Sequence, residues 1–317
     1  MSVIRFSILI SILLYFSATA QSEALNASEK SFKPLSVIVS IMPQAYFVER
    51  IGGSRVSVEV LVLPGKNHET YKPSPIQMAG IVKSDIFFRI GLPFEEMLLP
   101  KIKTIAKKLQ IVDTRKGIKL RRLKVRFDHQ DDPAEMDGER ADQDERKHPH
   151  PHGFGGNDPH IWLSPQLVKK QAETIWSTLV RFDPAGEEEY TANFKGFIKD
   201  IEVLQRKIAA TLAPFRGESI YVFHPAFGYF ADEYGLRQVA VEIEGKGPKG
   251  KDLARFIKRA KKEKVRIVFV QPQFDQTAAD KIARAINGNV ISIDPLAEDY
   301  LINLEEMSNR ISKALSR

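Results

Sequence analysis

The sequence predicts an α/β protein made of two related halves around mainly parallel sheet, and three observations carry that reading. Short apolar runs rich in Val, Ile and Phe alternate with helical stretches along the chain. A strand–glycine–helix–strand unit recurs at an offset of about 180 residues, which suits two copies of one design as well as it suits chance recurrence of a common unit. Between the halves runs one unbroken helical pattern from Pro184 to Ala213. The chain has 317 residues, and at roughly 100–200 residues per domain that suits two domains.

Residues 1–20 stand apart from the rest. Arg5 gives a positive start, Phe6 to Phe16 an apolar run, and Ala18-Thr19-Ala20 a small-residue cleavage site. That order is a secretory signal peptide, and the run is too short to span a bilayer. Residues 21–33 are polar and aperiodic and read as a flexible leader. Candidate strands follow at Leu35–Ile41, Val56–Leu63, Ile86–Ile90, Ser219–Phe223, Gln238–Ile243, Val265–Val270 and Val290–Ile293. Stretches such as Pro75–Lys83 and Gly250–Lys262 supply the helical crossovers. The repeat is visible where Val60–Leu63 leads into Gly65-Lys66, and Val239–Glu242 into Gly245-Lys246.

In the central stretch Tyr190, Phe194, Phe197, Ile198, Ile201, Leu204, Ile208 and Leu212 recur at helical spacing. Asp183-Pro184 opens it as a cap followed by proline, and Pro214 stops it. The expected organisation is a first lobe over 34–183, a linking helix over 184–214 and a second lobe over 215–317.

Cysteine is absent. The fold therefore uses no disulfide, a metal would meet imidazole and carboxylate rather than thiolate, and no cysteine follows the signal to carry a lipid. The formal charge of +7 is unevenly spread. Residues 101–126 hold eleven Lys or Arg against the single acid Asp113, and residues 128–147 hold nine acids against three bases. Without interleaved aromatics the basic block reads as a solvated face rather than a nucleic-acid site. Residues 128–158 are the one long irregular stretch, a type of loop that is usually functional or disordered. They carry His129, His148, His150 and His152. In His148-Pro149-His150-Pro151-His152, alternating prolines splay the imidazoles along an extended chain. That suits auxiliary metal capture as well as it suits a solvated loop.

Three other histidines fall where open α/β sheets place ligand groups, beyond the carboxyl ends of strands. His68 follows a strand, within Gly65-Lys66-Asn67-His68-Glu69-Thr70-Tyr71-Lys72-Pro73. His160 lies in Asp158-Pro159-His160-Ile161-Trp162-Leu163, before a helix opened by Ser164-Pro165. His224 ends a strand and begins His224-Pro225-Ala226-Phe227. Asp294 ends another, before Pro295-Leu296. Taken singly, each also has an ordinary reading: a solvated turn residue, a histidine packed on Trp162, a hydrogen-bonded core histidine, and a helix cap.

Together these four stretches, in this order, resemble the ligand motifs of the zinc- and manganese-binding proteins of ABC transporters, the ZnuA and TroA type. Glu244-Gly245-Lys246 and Val268-Phe269-Val270-Gln271-Pro272-Gln273-Phe274 extend the likeness over most of the chain. The resemblance implies two (β/α) lobes joined by the long helix, with one metal in the cleft between them. It assigns His68 and His160 to the first lobe and His224 and Asp294 to the second. Where the manganese branch tends to carry glutamate this chain has His224, and three imidazoles with one carboxylate suit Zn(II) better than Mn(II). Implied with it are a periplasmic, monomeric, non-enzymatic protein and an ABC permease as partner. Gln271 and Pro248-Lys249-Gly250 depart from the family pattern at positions that put no ligand in doubt. A manganese or iron carrier of the same fold, a zinc hydrolase and an adhesin are the competing readings. The hydrolase would need an open coordination position and a general base, and no His-Glu-x-x-His is present. For the second nitrogens of the ligand imidazoles, Asp158 and Glu69 are the expected partners.

Overall fold

The structure, a computed structural model, describes residues 33–123, 156–241, 250–274 and 276–316. The signal-like segment, most of the leader, His129, His148, His150, His152 and Glu244-Gly245-Lys246 lie outside the described residues.

Two four-stranded parallel sheets form the frame. The first joins β1 (Leu35–Val39), β2 (Val56–Val60), β3 (Ile86–Arg89) and β4 (Gln110–Asp113) in the order β2-β1-β3-β4. The second joins β5 (Ser219–Val222), β6 (Arg237–Ala240), β7 (Ile267–Val270) and β8 (Asn289–Ser292) in the order β6-β5-β7-β8. Strand for strand the order is the same, so the halves repeat as their shared pattern implies. Central strands are apolar because both faces are covered: every residue of β3 is buried. Edge strand β2 instead alternates half-buried and exposed residues. Strand β4 is an addition to the seven expected.

The helices are α1 (Met42–Gly52), α2 (Pro75–Lys83), α3 (Pro93–Ile105), α4 (Pro165–Phe182), α5 (Glu187–Leu212), α6 (Gly228–Tyr234), α7 (Gly250–Lys262), α8 (Gln276–Ala285) and α9 (Tyr300–Leu315). The long helix α5 has 26 residues, about 39 Å at 1.5 Å per residue. It buries Tyr190, Phe197, Ile201, Leu204, Ile208 and Leu212 and packs on α1, α4 and α9. Asp183 is not its cap, contrary to the sequence reading. A 3₁₀ turn, Pro184–Gly186, intervenes, and the Asp183 carboxylate instead accepts from Arg55 Nε at 2.7 Å and the Tyr190 hydroxyl at 2.9 Å. The larger of two apolar clusters runs through both sheets, with Tyr300 of α9 edge-on to Phe47 of α1 at 4.9 Å, and a smaller one around Tyr221, Phe256 and Val268 packs the second sheet against α7 and α8. No helix among the described residues is long and apolar enough to cross a membrane.

Candidate metal centre

His68 and Glu69 follow β2 and His224 follows β5, each beyond the carboxyl end of its strand, whereas His160 precedes a helix. The chain continues from β2 through the buried Leu61 and Val62, then turns at Gly65, whose φ of 75° is left-handed and favours glycine. The excursion returns at α2. There Ser74 and Gln77 form a reciprocal cap, and Gln77 also donates to the Leu61 carbonyl at 2.7 Å and accepts from the Tyr71 hydroxyl at 2.8 Å. One glutamine thus ties both ends of the segment that carries His68 and Glu69.

His160 sits ahead of α4, which Ser164 caps by accepting from Leu167 N at 3.2 Å. Its Nδ1 lies 2.7 Å from Asp158 Oδ1, which also accepts from the His160 main-chain N–H at 3.0 Å. The protonated nitrogen is therefore Nδ1, and Nε2 presents its lone pair to the site. His224 follows β5. The Gln271 side chain accepts from His224 N at 3.3 Å and donates to His224 O at 2.9 Å, and the Phe274 ring stacks on the imidazole at 4.3 Å.

The three imidazoles converge. His160 Nε2 is 3.0 Å from His68 Nε2 and 3.2 Å from His224 Nε2. Glu69 Oε1 stands 3.6 Å from His68 Nε2 and 3.7 Å from the Nε2 atoms of His160 and His224. A tetrahedron with metal–nitrogen bonds of about 2.0–2.1 Å has edges of about 3.3 Å, so these spacings are those of four donors around one Zn²⁺-sized ion. The donor set fits too, since borderline Zn²⁺ takes imidazole and carboxylate and usually four ligands. The three histidines are buried, and only 7% of the Glu69 side chain is exposed. Burial first, then the neighbouring His160, hold the His68 pKa well below its ordinary value; for His224 the causes are burial, then His160 and His68. Both rings are therefore neutral, as ligation requires.

Glu69, read from the sequence as a partner for a second nitrogen, faces the convergence point itself. Asp294 is not in this group. Strand β8 is the sheet edge, two strand spacings from β5 and so on the order of 10 Å away. Asp294 Oδ1 accepts from Gln273 Nε2 at 2.7 Å and from Leu296 N at 2.8 Å. The first half thus brings three donor residues and the second half one. His129, His148, His150 and His152 lie outside the described residues.

A family model described as the zinc-uptake complex component A, periplasmic, matches residues 37–314. The chain belongs to this family. Members of this zinc-uptake family are metal-binding transport components rather than enzymes. The high-affinity zinc uptake system protein ZnuA of Yersinia pestis is 24% identical over 302 residues, covering 93% of this chain and 94% of the relative. That of Bacillus subtilis is 25% identical over 280 residues, covering 87% and 82%. A crystal structure of ZnuA matches with a TM-score of 0.76 and 33% identity over 89% of this chain and 99% of the other. A zinc-bound 138–173 deletion mutant of ZnuA matches with a TM-score of 0.76 and 34% identity, covering 90% and 99%.

Proposed function

We propose that this chain captures Zn(II) outside the cytoplasm at His68, His160, His224 and Glu69 and delivers it to the membrane permease of an ABC transporter for import. The observation that carries the reading is the spacing of three imidazole nitrogens and one carboxylate oxygen, 3.0–3.7 Å along the five edges given above. Residues 1–20 act as the export signal, and the mature protein works in the periplasm as a monomer with lobes over 34–183 and 215–317 joined by 184–214. Delivery to a permease rests on family membership. His129, His148, His150 and His152 serve as auxiliary capture sites. A manganese or iron carrier would want more oxygen donors than one carboxylate, and a zinc hydrolase would want a coordination position left to water.

Isothermal titration of the chain from residue 21 onward tests the assignment, with native mass spectrometry giving stoichiometry. One tight zinc per chain, lost in His224→Ala, is the expected result. An unchanged affinity in His224→Ala overturns the site.

A further inference from the structure

The metal centre has a polar support that spans both halves of the protein, and its keystone is Arg121. Residues 121–123 and 156–158 run antiparallel at the two ends of the 124–155 segment. They pair through an Arg122–Asn157 bridge, with Leu123 N donating to Gly156 O at 3.0 Å and Asp158 N to Arg121 O at 2.9 Å. This pairing sets the Arg121 side chain beside the wholly buried Asp158 carboxylate. One guanidinium nitrogen lies 3.2 Å from Oδ2, and the other oxygen, Oδ1, faces His160.

From the second half, α6 closes on the same group. The Tyr229 hydroxyl accepts from Arg121 N at 3.0 Å and donates to Asp158 O at 3.0 Å. Asp232 pairs with Arg121 Nε at 3.0 Å. Gly228 lies so close that a Cβ there would overlap the Arg121 guanidinium and stand 2.8 Å from Asp158 Oδ2. Glycine at 228 is thus explained by space rather than by backbone conformation.

We infer that Arg121 is a positioning residue for metal capture: by engaging Asp158 Oδ2 it turns Oδ1 onto His160 Nδ1, and Gly228 is the opening in α6 that admits it. A carboxylate has two oxygens and can rotate. With Oδ2 committed to the arginine, Oδ1 is left for the His160 ring and main-chain N–H, which fixes the tautomer that points a bare Nε2 at the ion. The two contacts of the guanidinium differ in weight. The Asp158 pair is shielded, with that carboxylate 0% exposed, whereas Asp232 is 60% exposed and its pairing is screened by solvent. Support for the ligand therefore comes through Asp158, and Asp232 steers the arginine only weakly.

This inference rests on the zinc-capture reading, and its test separates the two. Nitrogen-15 NMR of the histidine rings reports the His160 tautomer in metal-free protein, whether or not zinc is the cargo. Competition with a chromophoric chelator reports zinc affinity. Wild-type protein shows His160 protonated at Nδ1. Arg121→Gln and Gly228→Ala each disturb that signal and weaken zinc binding by about 10–100-fold, the usual effect of losing a ligand's outer partner. Arg121→Lys, which keeps one charged donor, recovers part of the loss, and Asp232→Asn changes affinity less than about threefold, as an exposed pair should. If Arg121→Gln does not fold, Gly228→Ala decides, since its Cβ crowds both the guanidinium and Asp158 Oδ2 and so breaks their pairing while keeping every charge. Wild-type tautomer and wild-type affinity in Gly228→Ala overturn the inference. Wild-type protein that shows the tautomer but binds no zinc overturns the cargo assignment and leaves the positioning role standing.

Discussion

The two sheets share a strand order, and each holds a buried glutamine that ties the end of its first strand to its third. In the first half Gln44 accepts from Ser40 N at 3.0 Å and donates to Phe88 O at 3.3 Å. In the second, Gln271 follows β7 and binds both the N–H and the carbonyl of His224. The stitch is the same, but one end of it lies on backbone away from the candidate centre in one half and on His224 of that centre in the other. Further polar groups extend the contrast. Glu95, whose pKa burial raises, accepts from Ile90, Gly91 and Leu92 N–H at 3.1, 2.6 and 3.1 Å and so closes a turn that touches no ligand. Duplicated architecture therefore supplies equivalent anchoring positions, and side-chain chemistry at the strand ends decides which of them serve the site.

The three histidines of the candidate centre differ in the same way. His224 is anchored through its backbone and stacked by Phe274, and His160 is anchored through Asp158. His68 Nδ1 is buried without a hydrogen-bond partner among the described residues. The largest expected effect follows: His160→Ala, which removes the ring whose Nε2 lies 3.0 and 3.2 Å from the other two, weakens zinc binding by on the order of 3 kcal/mol, a hundredfold or more, if the roughly 10–16 kcal/mol of a four-ligand zinc site is shared among its donors. His68→Ala costs less than His160→Ala by chelator competition; the reverse order breaks the comparison.

Gln271→Leu should lower zinc affinity about tenfold by freeing the His224 backbone, an outer-partner effect. The matching Gln44→Leu should leave zinc affinity unchanged and lower unfolding free energy by about 1–3 kcal/mol, the cost of orphaned buried polar groups, read by urea denaturation. Equal effects of the two on zinc would erase the distinction between the halves.

The smallest effect expected is on acid stability. His68 and His224 have folded pKa values depressed by burial. The unfolded chain therefore takes up protons first, near pH 6.5, and stability falls as pH drops below that value. Above it both states hold neutral rings and the term vanishes. The melting temperature of metal-free protein should be flat from pH 8 to 7 and decline towards pH 5.5. His224→Ala should lessen the decline.

Much of this was legible in the chain because buried strands leave continuous apolar runs, as in Ile86-Phe87-Phe88, and because helices announce themselves through Ser164-Pro165 or the spacing of Tyr190 to Leu212. Strand β4 was not. It has four residues, all half-buried, at a sheet edge within the basic block. That block is solvated along Lys101, Lys103, Lys107 and Lys108, while Arg115 pairs with Asp113 and Arg121 with Asp158. The three histidines could be found from their motifs, since each ends a strand or opens a helix. Glu69 could be noticed but not placed, because adjacency to His68 does not say which way the carboxylate turns. Asp294 shares the strand-end signal of His224, and only strand order shows that it ends an edge. Arg121 gave no local signal, because its partner lies 37 residues on, across the 124–155 segment.

Zinc K-edge X-ray absorption on the loaded chain, compared with Glu69→Gln and His224→Ala, tests the central claim most directly. The account predicts four light donors near 2.0–2.1 Å, with imidazole scattering from three rings that falls to two in His224→Ala and an oxygen contribution altered in Glu69→Gln. A shell dominated by oxygen, or imidazole scattering unchanged by His224→Ala, would contradict it.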